Sequence, residues 1–415
     1  MPETLALHGG TPVRTRPWPQ WPTYDATDEK ALLDALHGGV WGVGGPRVGE
    51  FECRYSALHG ARFGVACCNG TIALEIALIA AGVKPGDEVI TTPYTFMASA
   101  MAVVEIGAVP VFVDVEPGTH NLDPRLIGAA VSERTTCIMP VHIGGRPADM
   151  DGVLAAAKKH GLAVVEDAAQ GWLAAWRGTP VGALGNAGIF SFQSSKNISS
   201  GEGGIVLTND EATFQRAWSY HNCGRRLGGE WYAHDFPGLN LRLGEFQAAI
   251  LLAMLERLPA QQERRRAAMA VLQREIAQIP GLLVPDDDPR ITAHACHMFM
   301  VRLDPSVIPA DKATVIKALH AEGIPANPGY TMPLYGQGLF AWYGERPTHW
   351  GGPKWKDAIR VPYASYDLPV AKQLCDTTIW VKQETLLAGP EEMTDVVTAF
   401  AKVAAAARSG RLAAA

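Results

Sequence analysis

The stretch Phe190-Ser-Phe-Gln-Ser-Ser-Lys196-Asn-Ile-Ser-Ser-Gly-Glu-Gly-Gly204 sets a single lysine between a short β-type run and a glycine-rich turn. A lysine so placed is held close to backbone that leaves room for a ligand. Lysine is also the side chain that forms imines with carbonyl cofactors, pyridoxal phosphate (PLP) above all. If Lys196 has that task, the rest of the chain must supply a phosphate cradle, a partner for a pyridine nitrogen and a surface against which the ring can lie.

Outward from this run the chain alternates. Apolar strands are expected at 63–68, 88–92, 109–113, 136–141 and 162–166, with helices at 72–82, 96–106, 123–131 and 150–160 between them. Continuous apolar strands separated by helices predict an α/β fold with a mostly parallel sheet covered on both faces. Residues 1–25 are rich in proline and read as an extended arm, followed by helices at 28–37 and 46–58. An apolar helix from Gly244 to Leu258 is expected to close at Pro259, and a charged helix from Gln261 to Ile276 to follow. Beyond about residue 280, short strands such as Met298 to Leu303 mix with helices at 310–321 and 390–407, and Ala404 to Ala415 read as frayed. The expected organisation is an arm at 1–25, a large domain at 26–258 and a smaller α+β domain at 259–415.

A chain of 415 residues with 47% hydrophobic and 19% charged residues has the composition of a globular enzyme. Its net charge of −6, with no long run of one sign, gives no case for a nucleic-acid partner. The opening Met1-Pro-Glu-Thr lacks the basic start and apolar core of a signal peptide. The most apolar stretch, Met97 to Val113, is broken by Glu105, Gly107 and Pro110, so no membrane span is expected and the predicted location is cytoplasmic. The seven cysteines include no pair with the gap of a zinc or redox motif, and Cys67-Cys68 reads as packing. His294, Cys296 and His297 lie in a β-like run whose alternation does not aim all three at one ion, so no metal is expected.

Four features fit a PLP site. Asn69-Gly70-Thr71 follows the strand at 63–68 and opens a helix, where free N–H groups and the dipole favour phosphate, although the same residues make an ordinary cap. Asp167 ends an apolar strand and could pair with a protonated pyridine nitrogen, with Gln170 in reach of the ring hydroxyl. Glu166 points to the opposite face and is expected to be structural. Pro93-Tyr94-Thr95-Phe96 offers two candidate stacking rings, Tyr94 and Phe96. Lys196 is the fourth feature, and Ser191, five residues earlier, could add a phosphate contact.

The order of these features, together with Pro140-Val-His142, Ala148-Asp-Met-Asp151 and Asn240-Leu-Arg242, resembles the PLP-dependent sugar and cyclitol aminotransferases of the DegT/DnrJ/EryC1/StrS family. The resemblance covers nearly the whole chain. It implies fold type I, with a seven-stranded-type sheet in the large domain. It also implies that Lys196 carries the cofactor, Asp167 meets the pyridine nitrogen, Gln170 meets the ring oxygen and Phe96 is the stacking ring. Gly70, Thr71 and Ser191 would hold the phosphate, and Asn240 would reach the cofactor of a neighbouring subunit, making a homodimer part of the active site.

One departure bears on substrate. Many sugar-nucleotide members carry histidine where this chain has Gln193, and Gly329-Tyr330-Thr331 stands where a sugar-binding histidine is expected. Ser191-Phe-Gln193, Leu5 to Arg14 and Leu386-Leu-Ala-Gly389 look like the branch of inosose aminotransferases and aminohydroxybenzoate synthases. The expected reaction moves an amino group from L-glutamine or L-glutamate to a ketone on a cyclitol or sugar ring, in aminocyclitol-type secondary metabolism. Gln193, Arg225, Arg226, Trp231, Tyr232 and Tyr330 are the candidate substrate residues. An aromatising synthase, a keto-sugar dehydratase and a nucleotide-sugar aminotransferase are the nearest alternatives. A regulator that binds PLP without turnover has no DNA-binding segment to support it, and a nicotinamide enzyme lacks its Gly-x-Gly-x-x-Gly turn.

Overall fold

The computed structural model describes residues 4–348, 352 and 354–412. Helix α1 (Ala26–His37) begins at Asp25, whose side chain accepts the Thr27 N–H at 2.7 Å while Asp28 accepts the Asp25 N–H at 2.8 Å. After α2 (Pro46–Leu58) the expected alternation runs β1 (Phe63–Cys67), α3 (Gly70–Ala80), β2 (Glu88–Thr91), α4 (Ala98–Glu105), β3 (Val109–Phe112), α5 (Pro124–Ala130), β4 (Thr135–Ile138), α6 (Met150–His160) and β5 (Ala163–Asp167). Two short strands, β6 (Ala175–Trp176) and β7 (Thr179–Pro180), lead to β8 (Ala187–Ser191), β9 (Gly204–Thr208), α7 (Glu211–His221) and α8 (Glu245–Ile276).

The large sheet has seven strands in the order β1-β9-β8-β5-β4-β2-β3. Strands β3, β2, β4, β5 and β8 pair in parallel, and β9 runs antiparallel to both β8 and β1. Alternate residues feed opposite cores, as the two-residue period requires. Val65, Cys67, Ile189 and Val206 pack beneath α3, α4 and α7, whereas Ala66, Phe190, Ile205 and Leu207 pack with α2 and α8. The fold is the α/β class expected, and no helix among the described residues is long and apolar enough to cross a membrane.

The second half adds β10 (Leu282–Leu283), β11 (Ile291–Ala293), β12 (Met298–Leu303), α9 (Lys312–Ala321), β13 (Ala326–Asn327), α10 (Leu339–Tyr343), α11 (Trp355–Ala358), α12 (Pro369–Thr377), β14 (Thr378–Lys382), α13 (Gln383–Leu386) and α14 (Met393–Arg408). Strands β10-β12-β14-β13 form an antiparallel sheet, and β11 joins β6 and β7 in a third, small one.

Two expectations are corrected here. Pro259 does not close its helix, because α8 continues for 32 residues through it. A proline inside a helix removes one N–H, here the one facing the Leu255 carbonyl, and packing on both sides can outweigh that loss. Before the proline, Ala248, Leu251 and Leu258 lie in the core under the large sheet. After it, Ala268, Leu272 and Ile276 lie in a core with Phe299, Val301 and Phe400. The division expected at 258/259 thus falls within one helix. The stretch from Ala404 is not frayed either: α14 runs to Arg408, and Ala404, Ala406, Ala407 and Leu412 are buried. Residues 413–415 lie outside the described residues. The chain also returns from the second half to the large sheet, where Leu334, Phe340, Trp355 and Tyr363 pack on Val104, Val109 and Phe112.

Strand β5 shows how the sheet separates structure from chemistry. Neighbouring Glu166 and Asp167 point to opposite faces. Glu166 is wholly buried and accepts hydrogen bonds from His142 Nε2 at 3.1 Å and from the N–H groups of Gly182, Leu184 and Gly185 at 2.8, 2.7 and 2.7 Å. It therefore ties β5 to the loop before β8. Glu166→Ala strands these four donors, and the expected cost is about 3–5 kcal/mol of stability, read as a lowered urea midpoint. Glu166→Gln keeps the shape and one acceptor oxygen, and is expected to lose less.

Candidate active site

A cavity of about 620 Å³ opens where β1, β5 and β8 end, and β12 and β14 close its far wall. Gly70, Thr71, Phe96, Asp167, Gln170, Ser191, Gln193, Lys196 and Tyr330 all line it. The structure thus brings nine of the sequence-predicted residues to one place, although they span 261 positions of the chain (70 to 330).

At one end of the cavity is the start of α3. Asn69 caps it by accepting the Ile72 N–H at 2.9 Å, and the Asn69 carbonyl accepts the Ala73 N–H. The N–H groups of Gly70 and Thr71 in the first turn are left for a ligand. A Cβ on Gly70 would lie 2.7 Å from the Ser191 Cβ, so only glycine lets these two backbones meet here. The Ser191 hydroxyl accepts only a long contact from the Gln193 N–H, at 3.4 Å.

Asp167 is 4% exposed. Its Oδ2 accepts from the Ser99 hydroxyl at 2.7 Å and its Oδ1 from the Ala169 N–H at 3.2 Å, and Thr95 backs Ser99 at 3.0 Å. Burial raises the Asp167 carboxyl above the ordinary range, against these hydrogen bonds and the nearby Lys196 charge. A buried carboxylate held by so few donors is suited to a cationic N–H from a ligand.

Lys196 sits in the turn after β8, where its own N–H donates to the Gln193 carbonyl at 2.9 Å. Burial lowers its ammonium to about 8, with the Asp167 charge opposing the shift. The amine lies 5.8 Å from the centre of the buried Trp172 ring. Gln193 lines the cavity, yet its polar atoms turn into the lysine loop. Its Oε1 accepts from the Ser195 N–H and hydroxyl at 2.9 and 2.7 Å, and its Nε2 donates to the Ser194 hydroxyl at 2.8 Å.

Gln170 bridges two elements: its Oε1 accepts the Gly144 N–H at 2.6 Å and its Nε2 donates to the Tyr330 hydroxyl at 3.4 Å. The two candidate rings after β2 differ in burial. Tyr94 is fully buried against Tyr330 and His120, whereas Phe96 is 64% exposed and lines the cavity.

Five predicted residues stand apart from the cavity of their own chain. Asn240 is exposed and makes an isolated bridge to Asn222. Arg226 pairs with Asp235 at 2.8 Å, Arg225 lies over Trp231, and Trp231 and Tyr232 stack with 76% and 78% exposure.

Lining residues that sequence reasoning did not place in the site include Ser99, His297, Trp380 and Lys382. The four-residue spacing of Thr95 and Ser99 at the start of a helix is a signal for the first. His297 was weighed only as a metal ligand. Here it is 5% exposed, and its Nδ1 lies 3.0 Å from Asn197 Oδ1. Asn197 spends its amide N–H groups on Ala295 and Gln262, so its oxygen accepts and His297 donates from Nδ1. Burial, then the charges of Lys196, Arg265 and Lys382, hold the ring neutral.

The chain matches the model of the DegT/DnrJ/EryC1/StrS aminotransferase family over residues 22–401. It is 40% identical over 413 residues, 97% of each chain, to a protein of Streptomyces kanamyceticus provisionally named an L-glutamine:3-amino-2,3-dideoxy-scyllo-inosose aminotransferase. It is 36% identical to the 3-amino-5-hydroxybenzoate synthase of Amycolatopsis mediterranei, covering 91% of this chain and 94% of that one. Its fold superposes on the crystal structure of a 3-amino-5-hydroxybenzoic acid synthase with a TM-score of 0.85 at 34% identity, covering 94% and 99% of the two chains. The chain belongs to the DegT/DnrJ/EryC1/StrS family and is a PLP-dependent aminotransferase of fold type I.

The lowered Lys196 ammonium has a direct readout. In cofactor-free protein its amine is expected to become neutral around pH 8, where ordinary lysines remain charged, so an acylating reagent labels it selectively as pH rises through that value. Peptide mass spectrometry follows the label. Asp167→Asn removes the charge that favours the ammonium, and the labelling midpoint is expected to fall.

Proposed function

We propose that this aminotransferase transfers the amino group of L-glutamine to a ring ketone of a cyclitol. The observation that carries the reading is the meeting of Lys196, Asp167 and the bare start of α3 in one cavity. The residues fit PLP. The phosphate suits the Gly70 and Thr71 N–H groups and the Thr71 and Ser191 hydroxyls, the pyridine nitrogen suits Asp167, and the ring oxygen suits the Gln170 amide. Phe96 covers the ring. When bound, the cofactor supplies an electron sink for the carbon that gains or loses its amine.

The chain's own residues do the rest. Asp167, steadied by Ser99 and Ala169, holds a proton at the pyridine nitrogen. Lys196, neutral at mildly alkaline pH because its amine is buried, takes the proton from the donor's α-carbon and delivers one to the acceptor's former carbonyl carbon. The buried Trp172 ring, 5.8 Å away, is part of the apolar surroundings of that amine.

The substrate classes rest on the relatives' names: an L-glutamine donor and an inosose acceptor at 40% and 39% identity over 97% of the chain. The Gln193 and Tyr330 positions support a free cyclitol over a nucleotide sugar, because neither offers the histidine of the nucleotide-sugar members. An aromatising synthase is the second reading, favoured by the 34% identical crystal structure. A homodimer completes the site in this proposal. Asn240, Arg225, Arg226, Trp231 and Tyr232 have no place in their own cavity, and the exposed Trp41, Val43, Phe236 and Leu239 extend that surface.

Lys196→Ala is expected to bind cofactor without its visible absorbance band and to lose all turnover. Ser99→Ala is expected to keep turnover but to weaken cofactor retention by about 10- to 100-fold, the worth of one hydrogen bond to a charge. A donor and acceptor screen, with amine formation followed by mass, tests the substrate. L-glutamine with a keto cyclitol is the expected pair, and turnover confined to nucleotide keto sugars would overturn the reading.

A further inference from the structure

We propose that Lys382 anchors the α-carboxylate of the amino donor. The proposal rests on the aminotransferase reading and adds a subsite to it. An amino-acid donor differs from a cyclitol ketone, and from the amine the ketone becomes, in bringing a carboxylate into the cavity. A carboxylate taken out of water needs a cation or several aligned N–H groups. Lys196 must stay free to move protons, and the N–H groups at the start of α3 face the phosphate. Among the residues of this chain that line the cavity, the remaining lysine or arginine is Lys382; on the surface assigned to the dimer, Arg226 already pairs with Asp235 and Arg225 lies over Trp231.

Strand geometry puts it there. In β14, residues two apart share a face. Ile379 and Val381 are fully buried in the core with Phe299 and Val301, whereas Trp380 and Lys382 line the cavity. The register with β12, Met298 opposite Lys382 and Met300 opposite Trp380, fixes the strand against slipping. The Lys382 ammonium makes no ion pair or hydrogen bond among the described residues; of its neighbours on the cavity wall, Met298 is apolar and Trp380 carries only an indole N–H, a donor that is itself unpaired. Two carboxylates line the cavity, Asp167 and Glu202, and neither lies within ion-pair distance of Lys382 among the described residues. His297, next to Met298 in sequence, is neutral and donates from Nδ1 to Asn197, so it offers no charge to this corner. A cation held on a strand over largely apolar side chains, with no partner of its own, is complementary to one oxyanion.

The test uses the PLP-loaded dimer and its two half-reactions. In Lys382→Gln, saturation by L-glutamine, followed as loss of the cofactor's visible band, is expected to weaken by about 10- to 100-fold. Lys382→Arg should recover most of that loss. The amine product of the acceptor, run backwards on the same form of the enzyme, carries no carboxylate and should weaken far less. Calorimetric titration with 2-oxoglutarate, which has the carboxylate without the amine, gives a reading independent of turnover, and Lys382→Gln should reduce that binding in parallel. Equal weakening for glutamine and for the product amine would mark Lys382 as merely structural and overturn the proposal. Unchanged glutamine saturation in Lys382→Gln would overturn it as well. If wild-type enzyme prefers another amino acid or another ketone, the substrate reading fails alone. The same comparison then runs with the pair it accepts, because every α-amino acid brings the same carboxylate.

Discussion

The end of strand β5 governs the rest of the structure. Two adjacent carboxylates there must be buried on opposite sides of one sheet, and each needs its own set of donors. Glu166 receives three backbone N–H groups and a histidine, which fixes the loops around β8. Asp167 receives only a serine hydroxyl and one N–H, which leaves capacity for a ligand. The contrast between a satisfied carboxylate and an under-satisfied one, one residue apart, is what separates the scaffold from the site. The loop that Glu166 holds precedes β8, and β8 in turn delivers Ser191 and the Lys196 turn.

The large sheet was legible in the sequence because its strands are buried on both faces and read as continuous apolar runs between helices. The residues at strand ends, Asn69 to Thr71, Asp167 and Lys196, were legible for a related reason: each follows such a run and breaks its pattern. Pro259 misled because local propensity argues for a stop, and the packing of α8 on two different cores is invisible in a local window. Lys382 and Trp380 were missed because β14 is a short strand late in the chain. Its face is decided by pairing with β12, some 80 positions earlier, and no local period shows which side meets the cavity.

Gln193 shows a different limit. It was singled out as a mark of substrate class, and its amide is spent holding the turn that carries Lys196. Its identity therefore bears on where the lysine stands. The loop from Arg225 to Asn240 shows the converse. Its aromatic side chains Trp231 and Tyr232 lie on the surface of the chain, outside the cavity that the sequence had assigned them to.

Helix α8 has a mechanical consequence. Its first half is seated beneath the floor of the cavity, and its second half is seated in the core behind the wall formed by β12 and β14. Floor and wall are thus threaded on one rod. They cannot rock against each other as two bodies on a loose tether would; any relative rotation must flex the rod. A helix bends most readily where a rung of its hydrogen-bond ladder is missing, and in α8 that rung is at Pro259. The proline that fails to end the helix instead leaves a missing rung between the half packed under the large sheet and the half packed behind β12 and β14.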